Sequence, residues 1–167
     1  KKGDEFIGIS STCDFYGNPK PGESAGDCYS PQNYDNAYRG PMTIKDALAQ
    51  SINIPAVKAL YLVGINDAIK TAREMGIKTL TDPSRYGLTL VIGGGEVKLL
   101  DLTNAYSVFA NNGKHTEPVA VLKVENINGE VLEEIKNFSS SQVIPENAAH
   151  QISDILSDND ARVPTFG

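Results

Sequence analysis

One proline constrains the fold of this chain more than any other residue. Pro55 sits inside an otherwise helical stretch that runs from Thr43 to Gly64. A proline has no N–H and its ring clashes with the carbonyl four residues back, so one continuous helix cannot pass through it. Ile54, immediately before it, is pushed toward extended geometry. The stretch therefore divides in two. Thr43-Ile44-Lys45-Asp46 resembles a capping box, with Asp in place of the usual Glu, and Ala47-Leu48-Ala49 continues the first helix. The second helix is expected to start near Pro55, a good first helical position, and to carry Val57, Leu60, Tyr61 and Leu62 to Gly64. Ser51-Ile52-Asn53 is left at the corner between them. Polar side chains set in such an apolar stretch cost about 1–3 kcal/mol each unless they find partners. On the residues alone, a structural cap or turn is the plainer reading of this corner, and a piece of cleft wall is the functional one.

Around that corner the chain reads as mostly α with one β-hairpin. Residues 1–41 are punctuated by Gly17, Pro19, Pro21, Gly22, Gly26, Pro31, Gly40 and Pro41, which predicts loop with a short strand at Phe6–Ile9. Residues 43–112 form the helical region. Its third helix fits Asp67–Met75, with Asn66 as N-cap and Gly76 as the stop. Glu96–Ala110 has helical spacing, with Val97, Leu100, Thr103 or Asn104, Tyr106 and Phe109 on the expected buried face, and Asn112-Gly113 ends it. Residues 117–136 hold the hairpin, two β-type runs (Val119–Val124 and Val131–Ile135) around Asn128-Gly129. Residues 145–167 give a final amphipathic helix, Pro145–Leu156, and an irregular tail from Asp158.

Composition removes several classes of function. Fifteen basic against 21 acidic residues leave a net charge of −6 and a sequence pI of about 4.9, with no Lys/Arg cluster, so a nucleic-acid partner is excluded. A chain of this length buries roughly 70% of its unfolded surface, so it needs no metal or disulfide staple. No run approaches the roughly 18 consecutive apolar residues of a membrane span. Lys1-Lys2-Gly3-Asp4-Glu5 has no apolar core behind it and is not expected to act as a signal peptide.

Several local patterns also read as structural. Gly93-Gly94-Gly95 lacks the Lys-Ser/Thr ending of a P-loop and the spacing of a dinucleotide fingerprint, so it reads as a tight turn and no nucleotide cofactor is implied. Glu133 and Glu134 read as a solvated strand face. His115 and His150 have no nucleophile partner in local sequence, and with Cys13 and Cys28 they match no metal-ligand spacing. The two cysteines flank a Gly/Pro-rich loop. They are either two thiols or a disulfide worth about 3 kcal/mol on chain-entropy grounds. The second Ser-x-Asn, Ser157-Asp158-Asn159, sits at a polar helix end and reads as ordinary C-terminal and turn residues.

Separated segments, in order, carry a resemblance. They are Tyr29-Ser30-Pro31-Gln32-Asn33-Tyr34-Asp35, Tyr38-Arg39-Gly40-Pro41-Met42-Thr43, and Ala47 through Val57 with its Gln50-Ser51-Ile52-Asn53-Ile54-Pro55. Further on come Tyr86-Gly87-Leu88, Gly93-Gly94, Leu102 to Gly113, Ile152 to Leu156, and Arg162 to Gly167. This pattern resembles the transpeptidase domain of penicillin-binding proteins, and most closely the bifunctional class A enzymes. The resemblance implies the helical part of the α/β penicillin-binding transpeptidase and serine β-lactamase-like fold, with an incomplete central sheet. It also implies peptidoglycan cross-linking, in which a serine attacks D-Ala-D-Ala and passes the acyl group to an amine. β-Lactams mimic the donor.

Three motifs line such a cleft: Ser-x-x-Lys with the nucleophile, Ser-x-Asn, and Lys-Thr/Ser-Gly. Only the second, Ser51-Ile52-Asn53, is present here. No serine has Lys three residues on, and Lys78-Thr79-Leu80 lacks the glycine of the third motif. By resemblance, Ser51 relays a proton between the first motif's lysine and the departing amine, and Asn53 binds the donor peptide. The other two motifs are expected just before Lys1 and shortly after Gly167, which makes the chain the central part of a transpeptidase domain, inactive alone. The alternative is a non-catalytic transpeptidase-like module that binds peptidoglycan or a protein. The resemblance implies an extracytoplasmic home with any membrane anchor outside this chain, which favours a Cys13–Cys28 bond. Without the strands that both ends of the domain supply, the helices are expected to expose apolar surface and the chain to self-associate.

Overall fold

The computed structural model describes residues 20–22 and 31–167. The expected strand at residues 6–9, and Cys13 and Cys28, lie outside them. The chain divides into two compact units. Among the described residues the first takes in those up to Ala68, Asp82–Gly95 and Asp154–Gly167, and the second takes in Ile69–Thr81 and Glu96–Ser153.

In the first unit, α1 (Ile44–Ala49) packs against α2 (Asn53–Val63) and against α6 (Asn159–Phe166). Thr43 caps α1, its hydroxyl oxygen accepting the Asp46 N–H at 3.0 Å while its O–H donates to the Asp46 carboxylate. The capping residue is as the sequence predicts, but Asp46 is too short to reach back to the backbone and meets the hydroxyl instead. A 3-10 segment, Leu88–Ile92, lies along α2. Ala47, Ala49, Ile52, Ile54, Val57 and Leu60 form the core, with Val57 fully enclosed. Burying such aliphatic side chains stabilises the fold by about 1.5–3 kcal/mol each for the larger ones.

The tail from Asp158 is helical, contrary to the expectation of irregular chain. Asp158 is its N-cap and accepts the Ala161 N–H at 3.0 Å. Lys45 of α1 reaches the same carboxylate at 2.6 Å and holds its pKa below the usual value, with the Ala161 bond adding to the effect. Ser157-Asp158-Asn159 is therefore a helix start and not simply a helix end.

In the second unit, α4 (Leu99–Ala110) packs on β1 (Lys114–Thr116), which pairs antiparallel with β4 (Ser140–Gln142). The hairpin is where the sequence puts it, though shorter: β2 (Lys123–Glu125) pairs with β3 (Val131–Glu134). Gly129 takes a positive φ in the turn, and Asn126 Oδ1 accepts the N–H groups of Asn128 and Glu130. Ile69, Leu80, Ala105, Val108 and Ala149 are buried. The expected buried face of α4 is turned: Ala105 and Val108 point inward, whereas Leu100 and Tyr106 are more than half exposed. The third helix, α3 (Ile65–Glu74), and α5 (Glu146–Ser157) fall close to their expected positions. No described helix is long and apolar enough to cross a membrane.

Three helices end the same way. Beyond α1, α3 and α4 a residue turns left-handed, and the next amide closes back onto the carbonyl five residues earlier. The bonds are Ile52 N to Ala47 O at 2.9 Å, Ile77 N to Ala72 O at 3.0 Å, and Gly113 N to Val108 O at 2.8 Å. This is the Schellman motif, which satisfies carbonyls that a helix end leaves without partners.

Candidate functional site

The left-handed positions of those three caps are Gly76 (φ 102°), Asn112 (φ 53°) and Ser51 (φ 56°). Glycine is the usual occupant because it has no Cβ, and asparagine follows it. A Cβ at Gly76 would also meet His115 Nε2 at 2.7 Å and Asn104 Nδ2 at 2.9 Å, so both side chains would have to shift to admit one. Serine has neither advantage. A non-glycine residue held there costs on the order of 1–3 kcal/mol, and such strain concentrates at functional positions. Ser51 is exposed, and its hydroxyl has no hydrogen-bond partner among the described residues. Its backbone, by contrast, is fixed, with Ser51 N bonded to Leu48 O at 3.1 Å.

This geometry sets an expectation for stability. Ser51→Gly is expected to relieve the left-handed strain and raise the stability of the chain by about 0.5–1 kcal/mol, part of the gain being offset by glycine's freedom in the unfolded state. Urea denaturation with an unchanged slope and a higher midpoint is the expected result.

Asn53 opens α2, two residues before Pro55. The proline therefore lies in the third helical position, not the first. It still causes no loss, because the first four N–H groups of a helix have no intrahelical partner. Ile54 is helical despite preceding proline, and it is buried. No side chain at the Ile52 cap serves this helix start. The partner comes from far upstream: Asn33 Oδ1 accepts the Ile54 N–H at 3.1 Å. Asn33 Nδ2 donates to Ala37 O at 2.8 Å, and Asn53 Nδ2 donates to Gln32 O at 3.0 Å. Gln32 and Asn33 lie in the Tyr29–Asp35 run, but nothing in local spacing assigns them to the corner.

The other candidates resolve differently. Lys78 donates to Glu117 at 2.8 Å, and that carboxylate raises its pKa. The Thr79 hydroxyl donates to Glu96 O at 2.7 Å. Both side chains are thus engaged within the second unit. The N–H groups of Gly93 and Gly94 bond to Leu90 O and Thr89 O, so this turn does not present them to a phosphate. His115 Nε2 lies 2.9 Å from Asn104 Nδ2, and His150 Nε2 lies 3.0 Å from Asn112 Oδ1. Glu133 and Glu134 are exposed. Among the described residues no three His, Cys, Asp or Glu side chains converge as a metal site would require.

Comparison with known proteins agrees with the fold. The family model of the penicillin-binding protein transpeptidase domain matches residues 15–163. Penicillin-binding protein 2D of Bacillus subtilis is 39% identical over 128 residues, which cover 76% of this chain and 18% of that protein. Penicillin-binding protein 1A of Aquifex aeolicus is 39% identical over 124 residues, covering 74% of this chain and 16% of that one. The crystal structure of penicillin-binding protein 1A from Haemophilus influenzae matches with a TM-score of 0.72 and 25% identity, over 98% of this chain and 26% of that one. PonA1 of Mycobacterium tuberculosis, solved in complex with penicillin V, shares the fold with a TM-score of 0.64 at 22% identity, over 78% of this chain and 37% of that one.

This chain belongs to the penicillin-binding protein transpeptidase family. Relatives named penicillin-binding protein 1A recur, in keeping with the class A resemblance. The chain spans less than a fifth of the length of these curated relatives.

Proposed function

We propose that this chain forms the Ser-x-Asn wall of the catalytic cleft in a peptidoglycan D,D-transpeptidase of the class A type. In this reading Ser51 relays a proton and Asn53 binds the donor stem peptide, and the chain has no turnover by itself. The observation that carries the reading is Ser51: a serine held in the left-handed region on a rigid helix cap, with its hydroxyl exposed. A local cap would favour glycine or asparagine, so the hydroxyl needs a reason beyond the cap.

The chemistry follows from the functional groups. A hydroxyl donates one hydrogen bond and accepts others, so Ser51 can receive a proton from a lysine ammonium while passing its own to the amine that leaves. An amide donates and accepts at once, which matches a peptide backbone. Asn53 Nδ2 is already oriented by the Gln32 carbonyl, which leaves Oδ1 and the second N–H for a ligand. Neither role makes Ser51 the nucleophile, since an unactivated serine reacts poorly. The sequence contains no Ser-x-x-Lys to supply an activated one.

β-Lactams and stem peptides are the ligands of the complete domain in this account, and the work is done on the outer face of the cell membrane. Labelling of the isolated chain with a fluorescent penicillin is expected to give no covalent product. Stable acylation of Ser51 would overturn the proposal. The isolated chain is also expected to self-associate, because one face of α4 leaves Leu99 (80% exposed), Leu102 and Tyr106 in solvent. Sedimentation at high concentration should show species larger than a monomer, and a compact monomer would contradict this.

A further inference from the structure

Asn33 is the only buried polar side chain among the described residues, at 6% exposure. A buried carboxamide must satisfy both its ends, and Asn33 does so on two backbone segments. Its oxygen takes the Ile54 N–H and its nitrogen gives to Ala37 O. The neighbouring residue completes a reciprocal pair: Asn53 Nδ2 donates to Gln32 O. The side chain of 33 thus holds the backbone of 54, and the backbone of 32 holds the side chain of 53.

We propose that Asn33 is a positioning residue for the Ser-x-Asn corner. It fixes the first turn of α2 through the Ile54 N–H, and so the direction in which the Asn53 amide points. The role rests on the reading of Ser51 and Asn53 given above. Two features support it. First, α2 has no side-chain cap of its own, so Asn33 supplies what the local sequence lacks. Second, the Asn53–Gln32 bond depends on residues 32 and 53 keeping their separation, and the Asn33–Ile54 bond lies beside it in the chain. Loss of the carboxamide leaves a buried N–H and a carbonyl without partners and frees both segments to move.

The test uses the complete transpeptidase that carries this segment, with the second-order rate of acylation by a fluorescent penicillin and the melting temperature as readouts. Asn33→Ala is expected to slow acylation about 10- to 100-fold, the scale of a displacement on the order of an ångström in a catalytic site. In an Asn53→Ala background it should add little, because the amide it orients is gone. Val108→Ala, a cavity in the second unit, provides a destabilised control and should acylate at close to the wild-type rate below its melting transition.

Asn33→Asp provides a second route if Asn33→Ala does not fold. Its protonated carboxyl accepts from Ile54 and donates to Ala37 O, whereas the ionised form loses the donor. Burial disfavours the ionised form. Acylation by Asn33→Asp, relative to wild type at each pH, is therefore expected to recover as pH falls. Wild-type rates in Asn33→Ala, additive losses in the double variant, or a wild-type rate in Asn33→Asp at a pH where its carboxyl is ionised would each overturn the positioning role while leaving the corner's function standing. An unchanged rate in Asn53→Ala would overturn the reading of the corner itself, and this role with it.

Discussion

Gly113→Ala is expected to lower the stability of the chain by about 3–5 kcal/mol, a loss that combines left-handed strain with steric overlap. Gly113 is buried, with φ at 83°. A Cβ at this position would overlap the Ile144 carbonyl oxygen and lie 2.7 Å from Gln142 Nε2. The backbone oxygen cannot swing away as a side chain could, because the segment is tied down. Val143 N and Ile144 N bond to Gly113 O at 3.0 and 3.2 Å, and Gln142 Nε2 bonds to Asn112 O at 2.9 Å. The substitution thus attacks the α4 cap and the β1–β4 pairing together. Gly129→Ala is the informative contrast: its φ of 80° is nearly the same, but nothing lies within 4 Å of the added Cβ. Only the backbone strain remains there, and a loss of about 1 kcal/mol is expected. A thermal midpoint lowered by roughly 10 °C or more in Gly113→Ala, against a few degrees in Gly129→Ala, would bear this out. Equal shifts would show that the overlap is relieved cheaply.

In the complete enzyme, Ser51→Ala and Ser51→Gly are both expected to slow acylation by penicillin about 10²- to 10⁴-fold, the range of a lost acid–base relay. Ser51→Gly should do so while making the fold more stable, since glycine suits the left-handed cap better than serine. A substitution that stabilises and disables at once separates a functional hydroxyl from a structural one. If Ser51→Gly stabilises the fold and acylates normally, the serine is only an imperfect cap. If it destabilises, the strain at φ 56° is not what the geometry implies.

Much of this fold is legible in residues that punctuate the backbone. Pro55 forces the α1–α2 corner, Thr43 starts α1, Gly76 and Asn112-Gly113 stop α3 and α4, and Asn128-Gly129 turns the hairpin. Each acts within its own neighbourhood, so its effect can be read from spacing. Three features are not readable in that way. α4 is apolar on nearly every side, so helical periodicity groups its residues without saying which group is covered. β1 and β4 are polar three-residue strands, and their pairing depends on Gly113 and Gln142 and not on alternation. α6 contains Pro164, which argues against a helix, yet Asp158 caps it and Lys45 meets that cap from α1.

The corner itself shows the same division. Ser51 and Asn53 stand out as polar residues in an apolar stretch, and the structure puts both at a helix junction. Their strain and their tethering do not show in the sequence. The left-handed φ of Ser51 appears only once the Schellman bonds are drawn. Asn33 reaches Ile54 across 21 residues of chain, a distance over which no local rule applies. The likeness to known transpeptidases includes the Asn33 segment but gives it no task, which the buried hydrogen bonds do.

The central claim is that Ser51 assists a nucleophile that lies elsewhere. Peptide mapping of the complete enzyme after reaction with a β-lactam tests it most directly. The account predicts an acyl adduct on a serine outside residues 1–167, formed far more slowly in Ser51→Ala but on the same serine. An adduct on Ser51, or an unchanged rate in Ser51→Ala, would contradict it.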